Sequence, residues 1–143
     1  MLQKNTIANK CISLIILCNI FTACTEQKTK HNNTAMDVGR DFIRATLDGN
    51  FKDAETLLFA DSQNVQLFNS YKRVYSNFTN TQKNAYKNAS YTILTINEEN
   101  DSTSIINYSN SYKNIPQNIK IVKKNKVWAI DFKHTYSDTT ILK

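Results

Sequence analysis

The sequence predicts an α+β domain, with N-terminal helices packed on a curved antiparallel sheet of three or four strands. Three observations lead there. Over residues 35–78 apolar side chains recur at helical spacing, with charged and polar ones between them. From Ser90 onward the pattern changes to short β-branched and aromatic runs. The connections between those runs are short, and only antiparallel neighbours can be joined that way, since a parallel crossover takes a dozen or more residues. Helices that precede the strands, rather than alternating with them, segregate to one face of the sheet.

The first helix begins near Ala35. Val38, Phe42, Ala45 and Thr46 form its apolar stripe, broadened by Met36, Ile43 and Leu47. Asp37 in the first turn suits the positive end of the helix dipole. Asp48-Gly49 ends the helix, with Gly49 in the C-terminal capping role. Asn50 caps a second helix, whose buried face is Phe51, Ala54, Leu57 and Leu58. Ala60-Asp61-Ser62 interrupts it. A third helix follows from about Asn64, carrying Val65, Leu67, Phe68, Tyr71, Val74, Tyr75 and Phe78, and Asn80 or Thr81 is expected to cap a last turn ending at Tyr86.

Four strands are expected over residues 91–96, 103–112, 119–123 and 127–132. Glu98-Glu99-Asn100-Asp101 reads as the first turn. A segment with the only proline, Pro116, links the second and third strands. Lys124-Asn125 makes a tight hairpin turn. On the last strand Trp128, Ile130 and Phe132 share one face, with Asp131 on the other.

The chain has 143 residues, enough for one domain with its own core. Two glycines and one proline exclude collagen-like and proline-rich classes. The net charge is +6, but the charges are interspersed; removing the two lysines that precede Cys24 lowers it to +4. The basic cluster of Lys120, Lys123, Lys124 and Lys126 surrounds a turn and reads as a solvated hairpin tip, so no nucleic acid is expected as a partner.

The N-terminus reads as an address. Residues 1–10 are polar and carry Lys4 and Lys10; residues 11–23 are apolar apart from Ser13, Asn19 and Thr22. That run is shorter than the ~20 residues a membrane-spanning helix needs. A basic segment followed by a short apolar one is a secretory signal peptide. Small Ala23 precedes Cys24 at the border where the chain turns polar, and this junction resembles the lipobox of bacterial lipoproteins, with Phe21 where that family usually has Leu. The resemblance implies cleavage between Ala23 and Cys24, lipid on Cys24, and removal of residues 1–23 with Cys11 and Cys18. Cys24 would then be the only cysteine left, with no intramolecular disulfide. Residues 24–34 would be the lipidated cysteine and a flexible tether, since nothing apolar lies between Cys24 and Ala35. The implied place is the cell envelope, with an outer-membrane anchor facing the periplasm, because Thr25 stands where Asp retains some lipoproteins at the inner membrane.

The stretch "FIRATLDGNFKDAETLL" (residues 42–58) and the closing "KKNKVWAIDF" (residues 123–132) resemble small envelope lipoproteins of the nuclear transport factor 2-like or cystatin-like superfamily. The resemblance covers residues 35–134, leaving 135–143 as a tail. It implies a cone-shaped fold with a pocket between sheet and helices, for which Tyr91, Tyr108 and Trp128 are the candidate lining residues. It implies no single activity, because this fold carries enzymes and non-enzymes alike. Catalytic members place Asp, His or Tyr inside the cone; here an isomerase- or hydratase-like site would need Tyr108, Asp131 or His134 to converge in an enclosed cavity. No residue is assigned a catalytic role. No His/Cys spacing suits zinc, and there is neither a glycine-rich phosphate loop nor a Gly-x-Ser-x-Gly elbow, so no cofactor and no metal site are expected. The reading at this level is a lipid-anchored envelope protein whose domain binds a partner protein or small ligand without catalysis.

Overall fold

The computed structural model describes residues 34–137. The expected signal peptide, Cys24 with the rest of its tether, and most of the tail lie outside the described residues. The elements run α1 (Ala35–Leu47), α2 (Phe51–Thr56), α3 (Ser62–Ser76), α4 (Asn80–Lys87), β1 (Tyr91–Asn100), β2 (Thr103–Asn110), β3 (Gln117–Lys124), β4 (Val127–Ile130) and α5 (Phe132–Ser137). The fold is α+β. All strand pairs are antiparallel in the order β1-β2-β3-β4, and the sheet stays open rather than closing into a barrel.

Short polar residues set the helix boundaries. Thr34 caps α1 by accepting the Asp37 N–H at 3.1 Å. Gly49 takes φ +70 after it, a left-handed conformation that a Cβ would strain. Asn50 caps α2 and Asp61 caps α3, the latter accepting the Asn64 N–H at 2.8 Å. For α4 the cap is Thr79, one residue before the expected Asn80. Its hydroxyl accepts the Gln82 N–H at 3.2 Å while Gln82 Oε1 accepts the Thr79 N–H at 2.9 Å, a reciprocal capping box.

The sheet alternates cleanly in its centre. Ser104, Ile106, Tyr108 and Asn110 on β2, and Gln117, Ile119 and Ile121 on β3, are buried against the helices. At Gly39 α1 lies close against this layer, where a Cβ would meet the ends of Ile106 and Ile121. β1 runs further than its polar sequence predicts. Glu98 and Glu99 are strand residues, and the reversal is confined to Asp101-Ser102, where Asn100 Oδ1 accepts the Ser102 N–H at 3.0 Å. β1 also carries a bulge at Leu94: Ile93 pairs with Tyr108 and Thr95 with Asn107. The β3–β4 hairpin turns through Asn125 and Lys126, at φ 50 and 67.

The last strand ends at Ile130, and Phe132 opens α5 instead of continuing the strand. Two bonds turn the chain there. The Asp131 N–H still reaches back to the Lys120 carbonyl at 2.9 Å. The Lys133 N–H donates to Asn64 Oδ1 at 2.8 Å, so a buried asparagine of α3 satisfies a first-turn donor of α5. The outer edge of β4 is covered by residues 57–59, which run parallel to it: the Phe59 N–H donates to the Ile130 carbonyl and the Ile130 N–H to the Leu57 carbonyl, both at 2.8 Å.

Aromatic rings fill the space between the layers. Phe68 and Phe132 meet edge to face at 5.2 Å, Phe42 lies 6.0 Å from each of them, and Phe51 lies 4.8 Å from Tyr75. The chain of rings continues through Phe78 and Tyr86 to Tyr112, the last two 5.1 Å apart.

Candidate functional site

The residues expected to line one pocket are spread along the sheet. Tyr91 pairs with Asn110 and Tyr108 with Ile93 and Gln117, near one end; Trp128 pairs with Lys123, one step beyond the row in which Thr103 faces Val122. Six residues of strand separate the rows of Tyr108 and Trp128 along β2 and its turn, ~20 Å at ~3.3 Å per residue. The three side chains therefore do not line one cavity.

The tyrosines of the interior are packing residues with satisfied hydroxyls. Tyr108 is buried and its hydroxyl donates to Gln117 Oε1 at 3.4 Å. The hydroxyls of Tyr71 and Tyr86 are 2.7 Å apart. Burial pushes the Tyr71, Tyr86 and Tyr108 phenols upward, so they stay protonated at neutral pH. Asp131 and His134 lie outside this ring system. Asp131 is half-buried after β4, with Oδ1 at 3.9 Å from Lys133 Nζ. His134 is exposed on α5, and its N–H donates to the Asp131 carbonyl at 3.2 Å. Tyr108 is thus engaged with Gln117, while Asp131 lies by Lys133.

The Lys133 ammonium lies between two acids, with Asp61 Oδ2 at 2.7 Å. The bond to Lys133 is the main reason the Asp61 carboxyl sits below its ordinary range, and Asp61 in turn raises Lys133. This cluster ties α5 to the start of α3. Among the described residues no group of three or more His, Cys, Asp or Glu could hold a metal ion, and no helix is long and apolar enough to cross a membrane.

The cleft that contains a sequence-predicted residue lies at the start of α1. It encloses about 360 Å³ between Thr34 and Met36 on one side, and Ile96, Glu98, Ser104 and Trp128 on the other. Met36, Ile96 and the indole supply an apolar wall; Glu98 and Asp101 supply an acidic rim. Lys123 Nζ stands 5.1 Å from the Trp128 ring centroid, a cation–π contact that holds the indole in place. Such a site suits an apolar group with a cationic or hydrogen-bond-donating flank. A second cleft, about 390 Å³, lies at the bend between α1 and α2 and is lined by Asp41, Arg44, Asp48 and Asp53. Its arginine is committed to structure: Arg44 bridges Asp48 at 2.9 Å and donates to the Lys87 and Ala89 carbonyls.

Sequence reasoning found Trp128 but missed Ile96, Glu98 and Ser104. Unbroken alternation along β1 groups Tyr91 and Ile93 with Thr95 and Asn97. The extra residue at Leu94 switches the parity and turns Ile96 and Glu98 to the helix side, in the rows of Ile106 and Ser104.

No family model matches the chain, and no curated protein and no solved structure matches it.

Proposed function

We propose that this chain is a lipid-anchored protein of the cell envelope, held through Cys24, whose domain uses the Trp128 cleft to bind a partner protein segment or a small ligand with an apolar group. The observation that carries this reading is the position of Thr34. It is both the last residue of the apolar-free stretch that follows Cys24 and part of the cleft wall. The ten peptide steps from Cys24 to Thr34 span at most ~36 Å. Whatever the cleft holds is then presented close to the membrane that the lipid would occupy. The chemistry of the wall, an indole with Met36 and Ile96 beneath an acidic rim, favours binding over proton transfer.

Two measurements test the two halves separately. Mass spectrometry of the mature N-terminus should find a lipidated Cys24, and Cys24→Ala should release the protein from the membrane fraction; an unmodified Cys24 refutes the anchor. Capture from detergent-solubilised envelopes should retain a partner or ligand that Trp128→Ala and Ile96→Glu lose. Retention by both variants refutes the role of the cleft.

A further inference from the structure

We propose that β1 is an assembly edge, pairing antiparallel with β1 of a second copy about a two-fold axis near Leu94 to give one eight-stranded sheet. This goes beyond the reading above and holds with or without a lipid on Cys24.

The two edges of the sheet are treated differently. The edge of β4 is bonded to residues 57–59. β1 is the other terminal strand, and no described segment pairs with its outer side. An open edge presents a row of N–H and C=O groups ready for another strand, and proteins usually blunt it with lysine, proline or shortness. β1 has none of these: it is ten residues long, its sequence is Tyr-Thr-Ile-Leu-Thr-Ile-Asn-Glu-Glu-Asn, and its first seven residues are uncharged. Leu94 is 47% exposed on it. The edge has two irregularities, one at Leu94 and one at Glu99 near its acidic end, which leave residues 95–98 in regular register with β2.

Charge argues for a second copy as the occupant. Beyond one end of the uncharged segment come Glu98, Glu99 and Asp101, all exposed. Beyond the other comes exposed Lys87, the last residue of α4. A two-fold axis at Leu94 lays the acidic end of each copy along the basic end of the other, and places Leu94 against its own counterpart. A closed two-fold contact requires this kind of self-complementarity, in which each patch is the partner's patch reversed. A parallel arrangement would instead place the carboxylates side by side.

The test uses the full chain purified in non-ionic detergent, with mass read by sedimentation velocity over a range of concentrations. A concentration-dependent dimer is expected. Leu94→Lys, at an exposed position that leaves the core untouched, should weaken it by about tenfold or more. Glu98→Lys with Glu99→Lys should weaken it too, and adding Lys87→Glu should recover part of the loss. Far-UV circular dichroism should be unchanged in each variant. A monomer at every concentration, a dimer indifferent to Leu94→Lys, or failure of Lys87→Glu to restore affinity would each overturn the proposal; the last would point to an edge that accepts unrelated extended peptides.

Discussion

Gly39 carries a sharp prediction because two effects of opposite sign meet there. Replacing an interior helical glycine with alanine gains about 1 kcal/mol of helix propensity. A Cβ at Gly39, however, would overlap Ile106 Cδ1 and lie 3.2 Å from Ile121 Cδ1. Both isoleucines are fully buried in the centre of the sheet, so neither has open space to move into. Overpacking of this kind costs about 1–3 kcal/mol. The cost exceeds the gain, and Gly39→Ala should destabilise the fold by about 1 kcal/mol. The assay is urea unfolding followed by far-UV circular dichroism. The double variant identifies the cause. Ile106→Val removes the offending Cδ1 and by itself costs about 0.5–1.5 kcal/mol. In the Gly39→Ala background it should cost little or nothing, giving a coupling of about 1 kcal/mol between the two sites. A Gly39→Ala protein as stable as its parent, or strictly additive effects, would refute the claim that α1 is held at this distance by contact.

Two further predictions concern the junction of α3 and α5. Asn64 is fully buried; its Nδ2 donates to the Phe59 carbonyl and to Asp61 Oδ2, and its Oδ1 accepts from the Lys133 N–H. Asn64→Ala leaves the Lys133 N–H without its acceptor, while the Phe59 carbonyl keeps the Asp61 N–H, and should cost about 1–3 kcal/mol in urea unfolding, while Asn64→Asp should be worse near neutral pH because it sets an oxygen against the Asp61 carboxylate. The pair of Asp61 and Lys133 sets a pH window. Asp61 is lowered in the fold, so its contribution is present above the ordinary carboxylate range and is lost as pH falls through its depressed value. Lys133 is raised, so its contribution is present below the ordinary lysine range and is lost only as pH rises through its elevated value. Asp61→Asn keeps a capping oxygen but no charge, and should flatten the acid limb of stability against pH; an unchanged limb would assign it to other carboxylates.

The parts of the fold that could be read from the chain are those governed by near neighbours. Asn50 caps α2 because its side chain reaches only three residues ahead. Gly49 tolerates a left-handed backbone in its own right. The strands of the sheet centre alternate without interruption, and the antiparallel α+β order follows from their short connections. What escaped depends on distant partners. Phe132 continues the apolar alternation of Trp128 and Ile130, but Asn64, far back in the chain, takes the Lys133 N–H and starts a helix. The polar residues at the end of β1 look like a turn until Ser104 and Thr103 pair with them. The Leu94 bulge has no signature in composition, yet it decides which residues of β1 stand beside Trp128. Aromatic content read from the sequence did not distinguish a lined cavity from a filled one; the ring-to-ring contacts around Phe68 show a filled one.

The strap formed by residues 57–59 along β4 has a consequence for polymerisation. In the language of chain growth, a sheet with two reactive edges is a bifunctional monomer and propagates into fibres without limit. Sealing one edge makes the unit monofunctional, so addition at the other edge terminates itself after a single step. The two backbone bonds at Ile130 therefore cap the sheet as a chain stopper would, and, given the pairing proposed for β1, a variant that frees residues 57–59 would convert a finite pair into a propagating one.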